Sequence, residues 1–439
     1  KVIEARPKRG PQTARHAMVP SMPEIFIANI DEAFYKDDIA ILPHELVRKV
    51  KSLFPRFLFC LGADDVIVVS SHISREFLDY FIKLNNLKGR KGIVIEMPDE
   101  KGLGQLVKLI LKSGHTLDLF RTLSRYADFK IEPFIETPLT VELSELIDIP
   151  LKRTAPQFIL NGVITKLNNK VFFKKIAQKL GISTVPGYVA GNYDDMLRYI
   201  KKAANENGGK VMLKNPYHAG GIGNFAGSYP GIINELPKWF KEGEIIEIII
   251  EHFIDFHSIA GSLVHISDDG CEFIGIDEQM SEGGKWSGFS YPCALSEISG
   301  DVEKMSMDFA LEAYKMGARG ELNIDWGVVK NAEGCLKPLA LESNFRHNGF
   351  GIILNYVKRY FGSYQKHLIY SEIVPVSPGI DSFEKVLTLL APYLIDRPGM
   401  REGVLMISPP NEGKCALAAV ADDKARAVEF YENAKRRLV

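Results

Sequence analysis

The chain has 439 residues, 46% of them hydrophobic and 25% charged, and a formal net charge of −1. That is the composition of a globular protein long enough for about three domains, with no global field toward nucleic acid or anionic lipid. Five scattered cysteines, never in a CxxC pair, argue against a disulfide framework or structural zinc and fit a reducing cytosol; no apolar run reaches the ~20 residues of a membrane span.

Residues 1–22 are basic and lack the apolar core of a secretory signal, so a flexible arm is expected there. Residues 24–29 read as a strand and 43–53 as a helix. Asp65-Val66-Ile67-Val68-Val69-Ser70 has the continuous apolar run of a buried parallel strand. A helix over 74–84 follows, with Phe77, Tyr80, Phe81 and Leu84 on one stripe, then a strand at 92–96 and a helix at 104–112. This alternation predicts an open α/β layer over residues 23–155. Gly62, Gly102 and Gly104 lack dinucleotide-loop spacing, so no nicotinamide site is expected. Prolines between 138 and 156 mark its end.

From 156 to 254 the pattern is a small α+β unit: a helix from Asn168 and Asn169 through Leu180, strands at 184–189, 210–213 and 245–251, and a helix at 194–205. Residues 255–365 bring antiparallel strand candidates at 258–265 and 271–279, a helix at 302–317 and a hairpin. A third segment, 366–439, carries strands at 403–408 and 415–421 and a terminal helix.

The hairpin holds the densest chemistry. Side chains alternate along a strand, so Asn323 and Asp325 share a face, as do Glu342, Asn344 and Arg346. Lys330-Asn331-Ala332-Glu333-Gly334 reads as the turn and brings Asp325 beside or diagonal to Glu342. Two carboxylates and a carboxamide gathered there repel one another without a cation, and suit Mg²⁺ (or Mn²⁺) completed by phosphate oxygens and water. A solvated polar face of a hairpin fits the same residues.

Three further stretches bear on it. Lys214 ends a strand and precedes a loop with Gly220, Gly221 and Gly223, an arrangement that handles phosphate, although an ordinary glycine-rich hairpin has the same form. Lys170, at a helix start, supplies a second cation or is a surface lysine. The very apolar strand at 245–254 leaves the core through Glu251-His252-Phe253-Ile254, where a purine finds an apolar slot and backbone partners, or simply ends a central strand.

The succession of a lysine, a lysine with a glycine loop, an apolar strand ending in Glu-His-Phe-Ile, then Asn-x-Asp and Glu-x-Asn-x-Arg resembles the ATP-grasp superfamily over residues 155–360. The resemblance implies an N-terminal open α/β pre-ATP-grasp domain, a two-lobed α+β ATP-grasp fold (156–254 and 255–365) and a small C-terminal α/β cap. It assigns Lys170 and Lys214 to phosphates, the three glycines to a closing loop, and Glu251, His252, Phe253 and Ile254 to the adenine hinge. Asp325, Glu342 and Asn344 fall at the metal, and Arg346 at the reacting centre. Where many members carry a glutamate for the ribose, this sequence has His257, with Asp255 and Ser258 nearby. The segment 277–293, with Lys285, Trp286 and Tyr291 facing either substrate or a mobile surface loop, resembles the pheganomycin-type peptide ligases, as do Pro375–Pro378 and Gly403-Val404.

The activity so implied is ATP-dependent joining of a small carboxylic acid or amino acid to an amine or peptide acceptor through an acyl-phosphate, with ADP and phosphate released. Lys214 and Arg346 carry catalysis, and a homodimer is compatible with the resemblance. A kinase of the same architecture and a non-catalytic nucleotide-binding regulator are the alternatives.

Overall fold

The computed structural model describes residues 22–33, 52–87, 94–97, 105–217, 224–236, 247–282, 285–380 and 382–439. The basic arm, most of the expected helix at 43–53 and the loop with Gly220, Gly221 and Gly223 lie outside the described residues.

The N-terminal layer contains β1 (Glu24–Ile27), β2 (Val66–Val69), α1 (Arg75–Leu84), β3 (Val94–Glu96), α2 (Leu106–Lys112), α3 (Gly114–Leu123), β4 (Lys130–Pro133) and α4 (Pro138–Ile147). Its strands are parallel, in the order β3-β2-β1-β4. Ser74 caps α1 by accepting from the Phe77 amide, and the stripe of Phe77, Tyr80, Phe81 and Leu84 is buried as its spacing requires. Pro138 is at the first turn of α4, where a missing N–H costs nothing, and Thr137 caps it.

The small lobe follows. It runs through α5 (Pro156–Leu160), α6 (Val163–Leu167), α7 (Lys170–Lys179), β5 (Gly187–Ala190), α8 (Tyr193–Glu206), β6 (Lys210–Lys214), β7 (Asn224–Ser228), α9 (Tyr229–Glu235) and β8 (Ile248–His252). Its antiparallel sheet has the order β5-β8-β6-β7, so the apolar β8 is central and pairs on both sides.

The remaining strands make one antiparallel sheet of eight. They are β9 (Ser258–Ser267), β10 (Gly270–Glu282), β11 (Lys285–Tyr291), β12 (Gly320–Lys330), β13 (Leu336–Phe345), β14 (His367–Pro375), β15 (Gly403–Asn411) and β16 (Lys414–Ala421), in the order β13-β12-β9-β10-β11-β14-β16-β15. Segment 366–439 therefore continues the sheet that carries the hairpin. Residues 285–291, open to a loop reading in the sequence, are a strand in the middle of it, and Tyr291 is buried. The side chain of Lys285 lies outside the described residues.

Four helices complete this part: α10 (Ser296–Lys315), α11 (Gly349–Phe361), α12 (Phe383–Leu390) and α13 (Lys424–Leu438). One face of the sheet packs on α10, where Trp326 is fully buried and donates its indole N–H to Ser262 Oγ at 2.9 Å, with Ser306 Oγ 2.7 Å from the same hydroxyl. The other face carries the polar side chains of β12.

Between the layers sits a buried ionic cluster. Glu132 of β4 meets Arg153 Nε at 2.9 Å and His347 Nε2 at 2.6 Å, and His347 Nδ1 lies 3.3 Å from Glu321 of β12. This chain of charges ties the N-terminal layer to the end of the hairpin.

Candidate active site

The large sheet places its carboxylates on one rung. Asp277 of β10 stands opposite Gly261 of β9, Gly261 opposite Asp325 of β12, and Asp325 opposite Glu342 of β13. Next to Glu342 the ladder shifts, Trp326 pairing with Ala340, so that Leu341 is an extra residue; a bulge of this kind re-aims side chains. The pairing of Asp325 with Glu342 is what alternation and the short turn require.

Asp325 accepts from Gln279 Nε2 at 2.7 Å and from Asn344 Nδ2 at 3.1 Å. Asn344 Oδ1 in turn accepts from Arg346, whose other nitrogen bonds Asn168 Oδ1. Burial and the facing Glu342 push the Asp325 carboxyl up to about 7. Burial also opposes charge on Glu342, but Lys170, whose Nζ is 2.9 Å away, with Lys214 and Arg346 behind it, holds that carboxyl below the ordinary glutamate range. Burial lowers the Arg346 guanidinium against the pull of both acids. An Asp kept half-neutral by a facing carboxylate is what a divalent cation would relieve, so the donor set fits Mg²⁺. Among the described residues no three His, Cys, Asp or Glu side chains are grouped to hold a metal alone. Asp325, Glu342 and Asn344 would share the ion with ligand oxygens.

The small lobe supplies the cations. Asn169 caps α7, which leaves Lys170 in its first turn, buried, with its backbone N–H bonded to Pro216 O at 3.0 Å. Lys214 ends β6 and reaches Glu251 at 2.6 Å; Lys174 reaches the other oxygen of Glu251, also at 2.6 Å. Burial opposes the Glu251 charge, yet these two lysines hold it below the usual range. Glu251 is thus a buried brace that aims Lys214, and its side chain does not face the cavity.

That cavity, about 600 Å³, opens between the lobes. Lys214, Ile254, Asp325, Glu342, Asn344 and Arg346 line it together. The side chains of His252 and Phe253 do not: His252 lies 3.1 Å from Glu206, and the Phe253 ring sits under Lys210 Nζ at 5.6 Å. His257 is exposed and outside the lining, whereas Asp255, two residues earlier, is in it. The far wall comes from the N-terminal layer and β14, where Arg56 and Glu372 pair among Phe134, Trp286 and Phe350.

No protein-family model matches the chain, and no curated protein matches it. Solved structures do. An ADP complex of N5-carboxyaminoimidazole ribonucleotide synthetase is 14% identical, with 94% of this chain and 96% of that one covered and a TM-score of 0.56. The chain has the ATP-grasp fold. The biotin carboxylase domain dimer of 2-oxoglutarate carboxylase from Hydrogenobacter thermophilus, solved with MgADP, ADP and bicarbonate, is 14% identical over 94% of this chain and 89% of that one, at a TM-score of 0.58. L-amino acid ligase from Bacillus licheniformis is 13% identical over 95% and 98%, at 0.55. At such identities the likeness is one of fold.

Several residues around this cavity escape a reading of the sequence. Lys174 carries a findable signal, since it lies one helical turn after Lys170 on the same face. Asp277 and Gln279 alternate along β10 as Asn323 and Asp325 do along β12. Asn168, Arg56 and Glu372 are brought in only by tertiary folding.

Proposed function

We propose that the protein is an ATP-dependent ligase that joins a carboxylate to an amine through an acyl-phosphate and releases ADP and phosphate. The observation that carries this reading is the joint lining of one cavity by Lys214, Asp325, Glu342, Asn344 and Arg346 on an ATP-grasp scaffold. The solved structures of this fold include an amino acid ligase and a carboxylase with MgADP, which supports the same class of chemistry.

Lys170 and Lys214 receive the phosphates, held in place by Glu342 and Glu251. The backbone at 251–254 reads adenine, with Ile254 against the ring, and Asp255 rather than His257 meets the ribose. Asp325, Glu342 and Asn344 would hold Mg²⁺ (or Mn²⁺), which would supply relief of charge repulsion between the nucleotide and an incoming carboxylate. Arg346, tied to Asn168 and Asn344, stabilises negative charge as the carboxylate oxygen attacks the γ-phosphorus. The N-terminal layer, which forms the far wall of the cavity, excludes the water that would hydrolyse the acyl-phosphate.

The acid is a small carboxylic acid or amino acid and the acceptor an amine or peptide. The buried Arg56–Glu372 pair with Phe134, Trp286 and Phe350 offers these substrates a cation, an anion and aromatic surface. The likeness of 277–293 to the pheganomycin-type ligases favours a peptide acceptor. Release of ADP and phosphate in equal amounts, screened against pooled acids and amines with the product weighed by mass spectrometry, tests the reading. ADP without phosphate would favour a kinase, and Glu342→Gln should lower turnover by ~10³-fold or more.

A further inference from the structure

The rung of acids has one member that nucleotide binding leaves unused. Asp277 is 1% exposed and lines the cavity, yet only one of its carboxyl oxygens is engaged: Oδ1 accepts from the Gly261 backbone N–H at 2.6 Å. Its Oδ2 is buried and has no hydrogen-bond partner in the protein. A buried carboxylate oxygen left open costs free energy unless something in the cavity donates to it.

Gly261 lets the other carboxyl oxygen, Oδ1, sit close against the sheet. A Cβ there would lie 2.5 Å from Asp277 Oδ1, 2.9 Å from Gln279 Nε2 and 3.2 Å from Asn323 Nδ2. Glycine therefore makes a notch in the sheet floor in which these polar groups converge, one strand from Asp325 and two from Glu342. On its Glu342 side the rung meets Lys170, Lys214 and Arg346, so that half is neutralised by the protein. On the Asp277 side the described partners of the carboxyl are a backbone amide and no cation. The half-open side asks for a positively charged hydrogen-bond donor.

We infer that Asp277 binds the ammonium group of the acceptor through Oδ2 and takes its proton for amide formation, an inference that rests on the ligase reading above. The ammonium nitrogen gives one proton to Asp277, and the lone pair so freed forms the C–N bond at the acyl carbon. The C–O bond to phosphate breaks, and the second proton from nitrogen leaves with the phosphate. Burial, and then the charge of Asp325, raises the Asp277 carboxyl well above the usual range, which makes it a stronger base than an exposed aspartate. The charged groups lining the same cavity are Asp325, Glu342, Arg346, Lys214, Asp255 and the Arg56–Glu372 pair, with His347 at its edge and Glu278 adjacent in sequence.

The test compares two nucleophiles on one enzyme. A pool of common amino acids and simple carboxylic acids is supplied with ATP and Mg²⁺ and with either glycinamide, which arrives as an ammonium, or hydroxylamine, which is already neutral at pH 7. The ratio of amide to hydroxamate formed is independent of how much enzyme is folded. In Asp277→Asn that ratio should fall ~10²-fold at pH 7, the usual loss when a general base is removed, and regain about tenfold in all by pH 9 as glycinamide, an α-amine of pKa about 8, deprotonates itself. A ratio within about twofold of the wild-type value would overturn the inference and leave the ligase reading standing. Restoration of the ratio by excess Mn²⁺ would also overturn it, assigning Asp277 to a metal. A wild-type enzyme that makes neither product would overturn the ligase reading itself.

Discussion

Two buried clusters of charge lie on neighbouring stretches of β12, and they differ in whether the protein closes its own account of charge. Around His347, every acid that touches the ring gains from it. Burial opposes the charges of Glu132 and Glu321, but Arg153, Lys152 and His347 hold Glu132 low and His347 and Arg153 hold Glu321 low; His347 itself is raised above the ordinary histidine value despite its burial. Along the rung of Asp277, Asp325 and Glu342, two of three carboxyls are driven up and Arg346 is driven down. In the first cluster each of these acids faces a positively charged partner, and together they clamp the layers. The second is left unbalanced by the protein's own groups, which is where the proposed cation, nucleotide and amine would enter.

The comparison can be broken from either side. Arg346→Ala removes one donor from the second cluster and should slow turnover ~10²–10³-fold while nucleotide affinity, read by calorimetry, stays within a few-fold. Equal losses in both would mean that Arg346 is only a structural brace. His347→Gln removes a partner from the first cluster and should cost about 3 kcal/mol of stability at pH 6 by denaturant unfolding. Because the folded pKa of His347 is raised, its contribution is whole below the unfolded value of about 6.5 and is lost as pH rises through the folded value. The cost should therefore shrink toward pH 9, and a cost independent of pH would show that the ring acts by packing alone.

Asp325→Asn is the smaller and more pointed case. A folded pKa raised to about 7 means that the native state binds this proton more tightly than the unfolded chain, so stability declines as pH climbs from the ordinary aspartate range to about 7. Without nucleotide, Asp325→Asn should melt no lower than the wild type at pH 8, and by this sign somewhat higher. Loss of stability in that variant would place Asp325 with the structural charges.

How much of this was legible beforehand follows from the range of each signal. The β12–β13 ribbon was readable because a strand period and a short turn are local, and its facing acids follow from them without knowledge of the rest. The α7 cap and the apolar stripe of α1 were local in the same sense. The strand at Lys285–Tyr291 was not, because it is defined by its neighbours β10 and β14 rather than by an alternating pattern of its own. Proline at 138 starts a helix, a place that suits its missing N–H and that the Thr137 cap beside it signals. His257 was placed at the ribose by spacing from Glu251, but the turn after β8 presents Asp255 to the cavity instead. The Glu251 side chain braces Lys174 and Lys214, a contact that crosses three elements and leaves no mark in the sequence. The Arg56–Glu372 pair joins residues from the two ends of the chain and could come only from the fold.

The claim beneath all of this is that Asp325, Glu342 and Asn344 hold a divalent cation against ATP. Calorimetric titration of ATP into the wild type and into Glu342→Gln, each with Mg²⁺ and with chelator, tests it most directly. Binding should depend steeply on Mg²⁺ in the wild type and lose most of that dependence in Glu342→Gln. An unchanged Mg²⁺ dependence in the variant would mean that the nucleotide and its metal sit somewhere other than this ribbon.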